Sequence, residues 1–145
     1  LIYISHRGNL NGPNPERENS PEYIAEALEM GYNVEVDVWF VDNKWFLGHD
    51  EPKYQVEQTF FYNHLLWCHA KNTDALKMML TLGIHCFWHQ GDDHTLTSKG
   101  YVWTYPGKTL TTKSICVKPN SAQDIGRCAG VCSDYIRKYH LEREV

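Results

Sequence analysis

Glu35 and Asp37 stand two positions apart in NVEVDVWF, residues 33–40, a run whose apolar and β-branched residues read as a buried strand. Side chains at that spacing share one side of a sheet. Two carboxylates held together there raise each other's cost of ionisation, so the pair needs water, Lys71 or a metal ion beside it. Oxygen ligands so placed suit a hard ion such as Mg2+ or Ca2+. His6 and His49 add two groups that exchange protons near neutral pH, and Arg7 adds a fixed cation. The set suits phosphoryl chemistry. A metal and a cationic side chain neutralise the non-bridging oxygens, one histidine attacks or acts as base, and the other protonates the leaving oxygen.

These residues must be brought together by the elements that carry them. LIYIS reads as a strand and runs into a loop rich in Gly, Asn and Pro. Ser20-Pro21 starts a helix whose apolar face is Ile24, Ala25 and Leu28, and Gly31 ends it. The strand of Glu35 and Asp37 follows, and Asp42-Asn43 turns it into a hairpin or a bent extension. HLLWCHAK is a strand, NTDALKMMLTLG a helix capped by Asn72 or Thr73, and IHCFWHQ another strand. This repeated strand–helix–Gly–strand unit marks parallel α/β architecture. Helices fade after residue 90, where NSAQDIGRCAG allows one short helix.

Eight strands are expected, at 2–5, 34–38, 65–69, 85–88, 94–97, 101–104, 114–118 and 130–134. The expected fold is one α/β domain over 1–145, a compact (β/α) TIM-like barrel with reduced or missing helices in its second half. An open, incomplete sheet with the same strand order is the alternative. Polar residues recur where strands end: His6 and Arg7, Glu35 and Asp37, His49 and Asp50, His69 and Lys71, His89 and Gln90, Lys118, then Ser133 and Asp134. Each alone has a plainer role as a solvated strand end, turn or counter-ion. In a parallel sheet they converge on one rim, where active sites sit.

Composition narrows the function classes. The chain has 145 residues, 42% hydrophobic, with 5 Trp, 9 Tyr and 5 Phe, as in a folded domain. Its formal charge of −4, from 14 Lys and Arg against 18 Asp and Glu, comes with no basic block. Nucleic acid is therefore not an expected partner. The 5 cysteines form no close-spaced metal pattern, and Cys68, Cys86 and Cys116 sit in apolar runs as small buried hydrophobes. No apolar stretch is long enough to span a membrane and none is signal-like, so a cytoplasmic location is expected.

HRGN, ENS, EVDVW and GHDEP, in this order, resemble the glycerophosphodiester phosphodiesterase family, part of the barrel group that includes phosphatidylinositol-specific phospholipases C. The match runs through His6-Arg7-Gly8, Glu18-Asn19-Ser20, Glu35-Val36-Asp37 and His49-Asp50, and is dense over the first 50 residues. GVCSDY resembles that family's last strand, and YVWTYPG its aromatic segment. The resemblance implies that His6 and His49 are the catalytic acid/base pair and that Glu35 and Asp37 are metal ligands. It implies that Arg7 and Lys71 bind phosphate and that Trp103 lines the mouth of the pocket. His69 stands where the family has a third metal carboxylate, so His69 or Glu18 completes the set around Mg2+ or Ca2+. The implied reaction is cleavage of a glycerophosphodiester or lysophospholipid. A non-catalytic phosphate- or metal-binding barrel domain is the second reading.

Overall fold

Residues 1–121 and 124–143 are described by the computed structural model. The chain runs β1 (Ile2–His6), α1 (Pro21–Glu29), β2 (Asn33–Val41), β3 (Lys44–Leu47), β4 (Tyr54–Val56), a 3-10 turn at Gln58–Tyr62, and β5 (Leu66–Ala70). It continues through α2 (Thr73–Leu82), β6 (Cys86–Trp88), β7 (His94–Leu96), β8 (Val102–Thr104), β9 (Ser114–Val117), β10 (Gly130–Ser133) and α3 (Ile136–Arg143).

The expected TIM-like barrel is not formed. The strands make one ten-stranded mixed sheet, curled into a half-barrel, with three short helices among the described residues. The main path runs β4-β3-β2-β1-β10-β9-β8-β7; off this path β5 pairs with β2 over Val34–Val38, and β6 pairs with β5. Two causes account for the difference. The connections after β6 are too short to carry crossover helices, and β3, β4 and β7 enter antiparallel. No strand pairing joins β6 to β7 among the described residues; Ser98 N–H to Cys86 O (2.8 Å) bridges that end. The incomplete sheet weighed as the alternative is the closer description. Seven strands (β1, β2, β5, β6, β8, β9 and β10) are nonetheless mutually parallel, so their C-terminal ends share one rim.

Period-two alternation sorts β2. Val34, Val36 and Val38 pack under α1 and α2 with Ile24, Ala27, Ala75 and Met79. Glu35 and Asp37 take the other side, above a second cluster of Ile4, Trp67, Phe87, Trp103, Ile115, Val117 and Cys132. An apolar strand therefore carries two carboxylates because one side of it is core and the other is the wall of a polar mouth. In α1 the buried positions are Ile24 and Ala27, with Ala25 exposed. The short helix suggested for 120–130 includes residues 122 and 123, which lie outside the described residues.

Two local devices hold the site's scaffold. Asp42 and Asn43 both have positive φ (51° and 60°), which matches the twist of the β2–β3 hairpin. Asn72 caps α2 by accepting from Ala75 N–H (3.0 Å) and binds both backbone groups of Phe40, at 3.2 and 2.9 Å. Asn72→Ala is expected to cost about 1–2 kcal/mol in urea unfolding, the scale of a lost cap with a further buried bond. An effect near zero would mean that water replaces all three bonds.

At the opposite, N-terminal end of the strands, Asn33, Trp67, His85, Lys99 and Tyr101 line a cavity of ≈ 500 Å³. Burial, helped by Lys99, lowers the His85 pKa from 6.5 to about 4. Its folded value lies below its unfolded one, so its contribution to stability is complete above pH 6.5 and is lost as pH falls towards 4. His85→Gln should flatten the pH dependence of the unfolding free energy in that window. An unchanged slope would assign the acid sensitivity to other groups.

Candidate functional site

The shared rim surrounds a cavity of ≈ 250 Å³ whose lining includes His6, Arg7, Glu35, His49, His69, Lys71, His89, Trp103, Tyr105 and Lys118. It is smaller than the cavity at the other end, but it collects the ionisable groups, and chemistry rather than size marks it as the candidate site.

The first turn after β1 sets its geometry. Arg7 (φ 61°) and Gly8 (φ 97°) are both left-handed, and a Cβ on Gly8 would lie 2.5 Å from the Tyr23 ring. Arg7 N–H donates to Glu35 O (2.9 Å), and the chain then leaves the sheet. Asn19 takes the vacated place beside β2: its Oδ1 accepts from Asp37 N–H (3.0 Å), and its Nδ2 donates to Asp37 Oδ2 (2.8 Å). One amide side chain thus satisfies the Asp37 N–H that β1 leaves open and holds the Asp37 carboxylate. At the end of β3, Gly48 (φ 154°) makes the turn that presents His49; a Cβ there would sit 2.0 Å from Glu51 O.

Three ligand atoms, from Glu35, Asp37 and His69, lie within 4.8 Å of one another. Glu35 Oε1 and Asp37 Oδ1 are buried and have no hydrogen-bond partner among the described residues. Burial and the Asp37 charge push the Glu35 pKa well up, against the pull of Arg7. Asp37 is held at about 2 despite burial, by His69, Arg7 and Asn19. Arg7 Nε lies 3.1 Å from Asp37 Oδ2, and these carboxylates raise the Arg7 pKa although burial opposes them. Two buried oxygens without partners, beside an imidazole nitrogen, are a donor set that fits a divalent cation. Glu18 stands apart from them: it takes Arg7 Nη1 (3.3 Å) and Asn14 N–H (2.7 Å).

His6 is 8% exposed, and its Nδ1 is 2.6 Å from Asp134 Oδ1, which also accepts from Asn9 Nδ2 at 2.9 Å. Tyr23 OH donates to Asn9 Oδ1 at 3.0 Å and completes the chain of bonds. Burial lowers the His6 pKa even though Asp134 pulls it upward. Asp134 is held at about 2, against burial, by its bond from His6 and the His6 charge. With Nδ1 given to Asp134, His6 presents Nε2 to the mouth, 3.8 Å from Glu35 Oε1. His49 is arranged alike at the rim, Nδ1 2.8 Å from Asp50 Oδ1, with 46% of its side chain exposed.

In comparisons with known proteins, no family model, curated protein or solved structure matches the chain. The site therefore rests on its own geometry.

Of the residues singled out from sequence, His6, Arg7, Glu35, His49, His69, Lys71 and Trp103 line one cavity, and Asp37 lies among its ligand atoms. Trp103 is buried, stacked on Phe87 with ring centres 4.6 Å apart, so it forms the wall more than the opening. Sequence reasoning gave no site role to Asp134, Asn9, Asn19 or Tyr105. Asp134 carried a signal, as a carboxylate at the end of the last strand, but nothing in the sequence tied it to His6. Among the described residues no helix is long and apolar enough to cross a membrane.

Proposed function

We propose that the chain cleaves phosphodiesters, of the glycerophosphodiester or lysophospholipid kind, by histidine acid/base catalysis with a divalent cation at Glu35, Asp37 and His69. One observation carries the reading: a buried His6, oriented by Asp134 through Nδ1, presents Nε2 to the same small mouth as the partnerless oxygens of Glu35 and Asp37. Binding alone needs no histidine held in that way.

In this reading His6, kept neutral by burial, takes the proton of the attacking oxygen through Nε2, whether that oxygen belongs to water or to the substrate. A bond forms from that oxygen to phosphorus and the bond to the leaving oxygen breaks. His49, at the open rim, gives the leaving oxygen its proton. Lys71 and Lys118 line the cavity as cations for the phosphate, and Arg7 adds charge while braced on Asp37 and Glu18. A divalent cation, when bound, neutralises charge on the non-bridging oxygens.

Phosphorus NMR of the purified chain with glycerophosphocholine and with a lysophospholipid, under chelation and with added Mg2+ or Ca2+, tests the proposal. Cation-dependent loss of the diester signal is expected, and the product shift separates a monoester from a cyclic phosphate. Cation binding with no turnover on either substrate would reject it in favour of a non-catalytic phosphate- or metal-binding domain.

A further inference from the structure

We infer that the Glu35–Asp37–His69 group prefers a first-row transition ion such as Mn2+ to Mg2+ or Ca2+, because His69 enters it through an unprotonated Nδ1. The inference rests on the proposal above that these residues hold a cation, and it adds which kind.

The orientation of His69 is over-determined. Its Nε2 lies 3.1 Å from the His89 carbonyl oxygen. A carbonyl only accepts, so Nε2 carries the proton. The ring lies flat on Phe87, with centres 5.1 Å apart and planes 9° from parallel, which fixes the direction of the other nitrogen. Nδ1 points among the carboxylates, 3.1 Å from Asp37 Oδ1 and 3.9 Å from Glu35 Oε2.

With the Nε2 proton given to the His89 carbonyl, neutral His69 has its lone pair at Nδ1, facing Asp37 Oδ1. Among the described residues Asp37 Oδ1 is also a buried oxygen without a hydrogen-bond partner. This nitrogen and the two carboxylates lie close enough together to be ligands of one ion. Arg7 does not fill that role, since its Nε sits on the other oxygen, Oδ2.

The same features resemble the outer support of a metal-bound histidine, in which the far ring N–H is given to a carbonyl and so fixes the tautomer. Imidazole is a borderline donor. Mg2+ and Ca2+ favour all-oxygen surroundings, whereas affinity for mixed nitrogen and oxygen sites rises along the first transition row from Mn2+. Replacing one carboxylate of an oxygen site by His69 also removes a negative charge, which weakens the hold on hard ions most.

The test is a calorimetric titration of the metal-stripped chain with Mn2+, Mg2+ and Ca2+, paired with pulsed electron spin resonance of the Mn2+-loaded protein. Zn2+ is a poor probe because 8 histidines offer it other places. The expected results are one Mn2+ site tighter than either hard ion and a nitrogen-14 modulation from a directly bound imidazole. In His69→Asp the modulation should vanish, and the ratio of Mn2+ to Mg2+ affinity should fall by about 10–100-fold, the scale on which even the outer support of a metal ligand acts. The spectrum of the unaltered chain requires no variant to fold. Mg2+ or Ca2+ binding without nitrogen modulation, or with the same ratio in His69→Asp, would overturn the selectivity and leave cation-dependent cleavage standing. No binding of any of the three ions would end both. Selective Mn2+ binding with no phosphodiester turnover would support this inference and reject only the reaction.

Discussion

In the proposed reaction, His6→Ala and His49→Ala are each expected to lower kcat by about 10²–10⁴-fold, the usual scale for a positioned proton-transfer group. The two losses should differ in character. His6 is buried, so alanine also opens a hole beneath the mouth, and His6→Gln, closer in volume, separates catalysis from packing. Its kcat should remain as low as that of His6→Ala, with an unfolding midpoint near wild type. His49 is exposed at the rim, and its removal should leave stability unchanged. A substrate with a more acidic leaving alcohol needs less protonation, so it should partly rescue His49→Ala and not His6→Ala. Equal rescue of both would invert or merge the two roles, and wild-type turnover in both would reject the mechanism.

Asp134→Asn should cost about 10²-fold or more in kcat with little change in KM, although Asp134 does not face the substrate. Its carboxylate receives the His6 Nδ1 proton at 2.6 Å, which fixes the tautomer that leaves Nε2 free. Where an acid holds a catalytic histidine in this way in a Ser-His-Asp triad, the amide replacement costs about 10⁴ through the wrong tautomer. Here Asn9 Nδ2 donates to the same Oδ1, so an amide that keeps its oxygen there still loses the charge that strengthens the bond from Nδ1 and holds the tautomer. The decisive reading is the imidazole nitrogen NMR spectrum of His6. Wild type should show the proton on Nδ1, and Asp134→Asn a shift to Nε2 or a mixture. Asp50→Asn is the contrast: that carboxylate is 92% exposed beside His49 and should matter little. A fully active Asp134→Asn would leave the aspartate a purely structural partner.

The elements that were legible in the sequence are those whose signals are local. Ser20-Pro21 and Asn72 announce helix starts through cap chemistry, and both helices form there. All eight expected strands appear within a residue or two at each end, except that β2 runs on to Val41. α3 was missed because IRKYHLER buries just Ile136 and Tyr139, too thin a stripe to stand out from its charged neighbours. β4 was hidden in a polar, aromatic stretch and exists because β3 offers it an edge. The closed barrel failed for a related reason: strand count is readable, but whether a sheet closes depends on crossovers that the shortened second half lacks. In the site, the carboxylate spacing and the histidines were visible. Asn19, which holds both the N–H and the carboxylate of Asp37, and the Asp134 partner of His6 were not, since neither pairing has a sequence spacing that betrays it.

The bond from His6 to Asp134 spans 128 positions, whereas Glu35, Asp37 and His69 come from the neighbouring strands β2 and β5. Contacts so distant along the chain close late in folding, after the entropy of the intervening loop has been lost. On the proposed mechanism, a chain that stops after β6 carries all three ion ligands and lacks the partner that orients His6. Ion binding and proton transfer would then depend on different lengths of the chain. Removal of β10 is expected to silence turnover through His6 even where the ion ligands remain.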